Sequence, residues 1–348
     1  MIERIPPLIP VGKKLLNLAA AATLALSLAA CAQSGQSSTS SESADSSETA
    51  AATTESTSSE STAATTSESG ALNVVATTGY LGDAVRQIAP DADVTVLVGP
   101  GGDPHTQELT TQDTEKLNSA DVVVWTSHDM EHKMRDQLDK LGEKQVAAAE
   151  AIPETDLLPW EEDGKVEGFD PHVWNSPDNW KIVVDATAKK LGEIDTANAS
   201  TYEANAKAYN EKIDMAKEEA GKVLEAIPAE RRILITGHDA FNYFGKTYNI
   251  EIHATDFVSS ESEISAADLD ELAGLIAEKK IPVIFQDNLK NPDAINHLKE
   301  AVRAKGGEVE VSDKELFADS LGEESPLNTY LGVFEYNAKT IADALGQS

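Results

Sequence analysis

The chain has 348 residues, of which 60 are acidic and 28 basic, giving a formal charge of −32 at pH 7, and it contains one cysteine. That charge balance argues against nucleic acid as a partner and against direct adhesion to anionic lipid headgroups, which both reward a basic surface, and it is compatible with collecting cations. A single cysteine excludes an intrachain disulfide.

The first predicted element is a leader. "KKLLNLAAAATLALSLAAC" sets Lys13 and Lys14 before an apolar run to Ala30, and then Cys31. The run is too short and too rich in alanine for a comfortable membrane span, and it ends in small residues, as an export signal does. Its end, Leu28-Ala29-Ala30-Cys31, resembles the lipobox of bacterial lipoproteins. That resemblance implies a signal peptide over residues 1–30, cleavage before Cys31 and lipidation of its thiol. The alternative is a plain secretory signal with an incidental cysteine, which would leave an exported protein carrying one unpaired thiol. From Ala32 to Gly70 the chain is mostly Ser, Thr, Ala and Glu. Such a segment buries too little apolar surface to offset its ordering entropy, so residues 31–70 are expected to form a disordered tether. Coil scaling gives it a reach of roughly 30–40 Å.

From Leu72 the pattern changes. "LNVVATT", "DVTVLVG" and "DVVVWTS" read as buried strands in a first half, and "RILITGH", "IEIHATDFV", "IPVIFQD" and "GEVEVSD" in a second. Amphipathic stretches such as "TTQDTEKLNSA" and "SAADLDELAGLIAEKK" lie between them. The alternation predicts an α/β fold with two lobes, each a mostly parallel sheet with flanking helices. Tyr202, Ala206, Tyr209, Ile213, Ala216, Ala220 and Val223 recur at helical spacing and stop before Pro228. This stripe predicts one long rigid helix over 196–227, joining a lobe at 71–195 to a lobe at 228–348.

Seven histidines are present, and two of them follow the same dipeptide: "GGDPHTQ" ends on His105 and "GFDPHVW" on His172. Proline fixes its own φ and keeps the preceding Asp out of the helical region, so each motif is a stiff approach that can aim an imidazole inward. The Asp carboxylate could cap a nearby backbone group or hold the loop. His238 ends "ILITGH", where α/β sheets place ligand sites. His128 and His132, four apart in "SHDMEHKM", could share a helix face, but no third ligand stands near them. His253 and His297 read as background. "GPGG" at Gly99–Gly102 lacks the Lys-Ser/Thr of a phosphate loop and reads as a turn.

"VGPGGDPHTQELT", "FDPHVWNSPDNW", "ITGHDAFNYFGKTYNIEI", "SSESEISAADLDELAGLIAEKKIPVIF" and "ELFADSLG" follow one another from about Leu72 to the C-terminus. In this order they resemble the solute-binding proteins of zinc and manganese ABC importers, the cluster A-I metal-binding family, in its TroA-like branch. The resemblance implies two α/β lobes joined by a long helix, with one ion bound between them. It implies His105, His172, His238 and Asp319 as the metal ligands, the last through "ADSLG". It also implies an ABC importer permease as partner, with the protein a monomer held outside the cytoplasm by lipid at Cys31. Manganese-preferring pneumococcal-type members have Glu for the third His; this chain does not. Its "GHDAF" matches the family's "SHDAF". The chain departs from the family in two places: Asp287-Asn288 replace the usual Glu-Ser, and "WEEDGKVEG" stands where strict zinc binders carry a His-rich loop.

Three imidazoles and a carboxylate suit tetrahedral zinc, whereas a bidentate carboxylate would admit manganese. By the Irving–Williams order zinc binds such a set more tightly than manganese whichever is the cargo. Four protein ligands close a site, while a catalytic zinc keeps a position for water; the expectation is therefore a binding protein and not an enzyme. Two other readings stay open on the residues: a surface-anchored metal-dependent hydrolase with Asp239 or Asp287 as general base, and a tethered adhesin with incidental histidines.

Overall fold

Runs of consecutive valine and isoleucine become strands buried on both faces. The computed structural model describes residues 70–162, 165–256, 264–288 and 292–346. The expected leader, Cys31 and all of the tether except Gly70 lie outside these residues. β1 (Asn73–Ala76), β2 (Asp93–Val96), β3 (Val122–Trp125) and β4 (Gln145–Ala147) form a sheet in the order β2-β1-β3-β4, with every pair parallel. β3 lies between β1 and β4, and all four of its residues are buried. Parallel pairing needs crossovers, supplied by α1 (Gly79–Ile88), α2 (Thr111–Ser119) and the short α3 (Arg135–Leu138). α2 starts on a capping box: the Thr110 side chain accepts from Asp113 N–H, and the Asp113 carboxylate accepts from Thr110 N–H.

β4 and a hairpin were not expected. The hairpin pairs β5 (Pro159–Glu162) with β6 (Lys165–Phe169) antiparallel, over the stretch that reads as the loop "WEEDGKVEG". An exposed two-stranded ribbon needs only backbone pairing, so its charged side chains hide it from a hydrophobicity pattern. Gly168 lets the Trp160 ring lie close, since a Cβ there would stand 3.0 Å from Trp160 Nε1.

α4 (Pro177–Ile194) begins where Ser176 caps the N–H of Asn179 and Pro177 occupies the first turn. α5 (Ala199–Leu224) has 26 residues and buries Tyr202, Ala206, Tyr209, Ile213, Ala216, Ala220 and Leu224. The predicted stripe is correct except at its end, where Leu224 is buried and Val223 only partly so. At 1.5 Å per residue the helix is about 39 Å long. It packs on α1, α4 and the C-terminal helix α9, described below.

β7 (Ile233–Thr236) pairs parallel with β8 (Glu251–Ala254), and β9 (Val283–Ile284) with β10 (Glu310–Val311). A parallel bridge between Thr236 and Phe285 links the two pairs. The helices of this half are α6 (Asn242–Tyr248), α7 (Ala266–Lys279), α8 (Pro292–Ala304) and α9 (Tyr330–Gly346). α/β architecture with parallel sheets is therefore present in both halves, although β9 and β10 are shorter than the runs "IPVIFQD" and "GEVEVSD".

The main apolar core takes residues from both halves, including Val74, Trp174, Trp180, Phe244 and Phe334. Buried Asp83 ties three helices inside it. One carboxylate oxygen accepts from Tyr209 on α5 (2.9 Å) and from the N–H of Tyr330 at the start of α9 (3.0 Å), while Asp83 itself belongs to α1.

Candidate metal centre

The two Asp-Pro-His motifs fold alike. Asp103 Oδ1 accepts from His105 N–H at 2.8 Å, and Asp170 Oδ1 from His172 N–H at 2.9 Å. In each, the carboxylate reaches the backbone two residues on, and the intervening proline limits the turn. This is why the tripeptide recurs: it is a stiff, self-capped turn that fixes where the imidazole points. The two differ in their side chains. Asp170 Oδ1 also accepts from His172 Nδ1 at 2.7 Å, while Asp103 spends its other oxygen on Thr106 Oγ1 at 3.0 Å.

His105 lies in the loop after β2, and His238 lies two residues beyond β7. His172 precedes α4, but the strand before it is the hairpin strand β6, not a strand of the parallel sheet. Asp319 follows Leu316, which bridges Asp287 in the continuation of β9. All four side chains are at most 1 % exposed and converge on one point.

The distances are uniform. His172 Nε2 is 3.3 Å from His105 Nε2 and 3.1 Å from His238 Nε2. Asp319 Oδ1 is 3.3 Å from His172 Nε2, and Asp319 Oδ2 is 3.3 Å from His105 Nε2 and 3.1 Å from His238 Nε2. Separations of 3.1–3.3 Å are those of donors that share one ion about 2 Å away, the usual zinc–nitrogen and zinc–oxygen bond length, and the ligand atoms of the four residues all lie within 4.8 Å of one another. Both Asp319 oxygens are buried without a hydrogen bond, as are His105 Nδ1 and His238 Nδ1. A carboxylate buried among imidazole nitrogens needs their protons, or a cation in place of those protons, to offset its desolvation. Because each Asp319 oxygen faces an imidazole nitrogen, the carboxylate can supply one oxygen or both.

The electrostatics follow from that crowding. Burial pulls the His172 imidazole down, but the Asp319 and Asp170 carboxylates outweigh it and raise its pKa to about 10. His238 is raised against the same burial, chiefly by Asp319. For His105 burial wins: together with the neighbouring His172 and His238 it outweighs Asp319 and leaves this imidazole lowered. Burial would raise Asp319, yet the His238 and His172 imidazoles hold it well below the ordinary carboxylate range.

The other histidines stay away. Ser127, His128 and Asp129 have positive φ, so "SHDMEHKM" is a turn here and not a helix face shared by His128 and His132. The buried Glu131 carboxylate holds that turn, accepting from Thr126 N, Ser127 N and Thr77 Oγ1. His128 Nε2 lies 3.2 Å from Ala149 O, and His253 Nε2 is 2.8 Å from Glu251 Oε1.

Sequence reasoning missed the groups that hold Asp319 and His238. Asp287 Oδ2 accepts from His238 N–H at 2.7 Å. A Cβ on residue 237 would stand 2.5 Å from that same oxygen, so a side chain at 237 and this carboxylate exclude one another. Gly237 and Asp287, separate in the sequence, are thus one arrangement. The Gly237→Ser variant is expected to push Asp287 off His238 and weaken ion binding about tenfold, read by competition with a chromophoric chelator. Unchanged affinity would uncouple the two positions. Asp239, half-buried near Asp170, has its pKa raised to about 6, first by desolvation and then by that carboxylate, and its Oδ1 accepts from Asn242 Nδ2 at 2.9 Å.

Residues 74–344 match the family model for the zinc-uptake complex component A, periplasmic (ZnuA). The chain is 37% identical over 278 residues to the manganese-binding lipoprotein MntA of Bacillus subtilis (strain 168), covering 79% of this chain and 90% of that protein. It is 36% identical over 278 residues to the zinc-binding protein TroA of Treponema pallidum (strain Nichols), covering 79% and 89%. The solved structure of the periplasmic zinc-binding protein TroA from Treponema pallidum superposes with a TM-score of 0.76 at 36% identity, covering 80% of this chain and 100% of that one. The iron-binding protein YfeA of Yersinia pestis is 32% identical over 277 residues, covering 79% and 86%.

Proposed function

We propose that this chain, which belongs to the ZnuA family of periplasmic zinc-uptake components, captures one divalent transition-metal ion, zinc or manganese, and delivers it to the permease of an ABC importer. His105, His172, His238 and Asp319 are the ligands. The observation that carries this reading is the buried set of donors held 3.1–3.3 Å apart. An ion entering the set displaces protons from the imidazoles and takes their place as the counter-charge of the Asp319 carboxylate.

Four protein ligands leave no position for an attacking water, which favours capture over hydrolysis. Asp287, one of the two candidate bases, is engaged by His238 N–H. The relatives' names cite manganese, zinc and iron, and a carboxylate able to give one oxygen or two suits either zinc or manganese. The relatives include named lipoproteins, which supports an extracytoplasmic location with Cys31 as the lipidated anchor; residues 31–70 are then the tether, and the body acts as a monomer. In this arrangement 71–195 and 228–348 are the lobes, with 196–227 as the strut between them.

The test is a titration of the chelator-stripped protein with zinc and then manganese. One equivalent per chain is expected for zinc. No binding of either ion would overturn the reading, and tight manganese binding from which zinc is readily displaced would make manganese the cargo.

A further inference from the structure

The backbone on both sides of Asp319 is held by side chains from distant segments. Asn288 Oδ1 accepts from Ala318 N–H at 2.9 Å, and Asn288 Nδ2 donates to Ser320 O at 2.9 Å and to Ser320 Oγ at 2.6 Å. One amide therefore brackets the carboxylate residue from before and after. On the opposite side, Ala318 O accepts from Tyr80 OH at 3.0 Å and from Trp174 Nε1 at 3.1 Å. Trp174 stands two residues beyond His172, and its ring is stacked on Tyr80 at 4.7 Å.

Ser320 then reaches across to the first half. Its Oγ accepts from Gly101 N–H at 3.0 Å. Gly101 has φ +71° and sits in the turn closed by Gly102 N–H to Gly99 O at 3.0 Å, the turn that leads into Asp103-Pro104-His105. Ser320 is 1 % exposed, whereas Gly99, Pro100 and Gly101 are exposed. The hydroxyl is thus the point where a surface turn carrying one ligand is fastened to the buried segment carrying another.

We infer that Asn288 and Ser320 are positioning residues that latch the Asp319 segment to the Gly99–Gly102 turn and so set how slowly the bound ion leaves. The inference rests on the proposed role of His105 and Asp319 as ligands. Neither latch residue faces the ion. Asn288 holds Asp319 in register, and the Ser320–Gly101 bond keeps the His105 turn from lifting away from it. An ion can depart only after one of its ligands swings off, so a latch that couples two ligand-bearing segments acts on dissociation more than on capture. Residues that orient ligands typically change metal affinity by about 10–100-fold.

The experiment uses the full chain loaded with zinc. Dissociation is timed after mixing with excess chromophoric chelator, and association is timed separately, for wild type, Ser320→Ala, Ser320→Thr and Asn288→Ala. The expected result is about tenfold faster dissociation in Ser320→Ala with the association rate kept, restoration of slow release by the hydroxyl of Ser320→Thr, and a similar acceleration in Asn288→Ala. Wild-type dissociation in Ser320→Ala would overturn the latch. So would equal losses in Ser320→Ala and Ser320→Thr, which would mark a packing role. A wild-type chain that takes up zinc while Ser320→Ala behaves identically sinks only the latch. A wild-type chain that takes up no zinc sinks the ligand assignment beneath it.

Discussion

Replacing His172 by alanine is expected to abolish tight ion binding. Its Nε2 faces His105, His238 and Asp319 at 3.1–3.3 Å, so this ring has a neighbour in every other ligand. Four-ligand zinc sites have apparent binding energies of roughly 10–16 kcal/mol, so each ligand is worth about 3 kcal/mol, or a hundredfold in affinity. The variant also removes one donor, His172 Nδ1, from the buried Asp170 carboxylate, which keeps the backbone N–H of residue 172 and Asn242 Nδ2. His105→Ala and Asp319→Ala are expected to cost at least about tenfold each. Calorimetric titration with zinc reads all three. Wild-type affinity in any of them removes that residue from the site.

The second large effect is on stability. An ion that binds only the folded chain, supplied at about a thousand times its Kd, adds roughly 4 kcal/mol. For a body of this size that raises Tm by roughly 10 °C. The gain is expected to grow with pH. In the ion-free chain burial depresses the His172 pKa, but Asp319 and Asp170 lift it to about 10, and His238 is lifted too, against the same burial, chiefly by Asp319. The His172 imidazole therefore holds a proton at neutral pH, and an incoming ion must displace it, so affinity rises about tenfold per pH unit for each proton released. The ion-free chain behaves oppositely. A raised imidazole pKa contributes stability that is complete below about 6.5 and is lost as the pH climbs through the folded value near 10. Melting curves at about pH 6 and pH 8, with and without zinc, separate the two trends. An ion-induced Tm gain that is equal at both pH values would contradict proton displacement.

Much of this was legible before any coordinates. "VVVW" and "ILIT" advertise strands because central parallel strands are buried on both faces and tolerate no polar residue there. The stripe on α5 was legible because its buried positions follow the helical period, and it slipped only at its end, where Leu224 replaces Val223. The hairpin β5–β6 was not legible, since backbone pairing leaves no hydrophobic signature in a charged ribbon. That His128 and His132 stand in a turn, and not on the helix face they could have shared, was not legible either: the buried carboxylate of Glu131 sustains three positive-φ residues through contacts that spacing does not encode.

The sequence by itself determined the ligand-bearing turns, because Asp-Pro-His is a local device: proline's ring and the Asp carboxylate act within three residues wherever they occur. His238 was legible as the end of a buried strand. Asp319 was reached through resemblance alone, since nothing in "ADSLG" announces a ligand. Only the tertiary structure decided that the ligand atoms of the four side chains converge within 4.8 Å of one another, that Gly237 makes room for Asp287, and that Asn288 and Ser320 bind Asp319 to the His105 turn. Those are contacts between residues 30 to 219 positions apart. They depend on how the two halves pack, and packing at that range leaves no periodic trace in the order of residues.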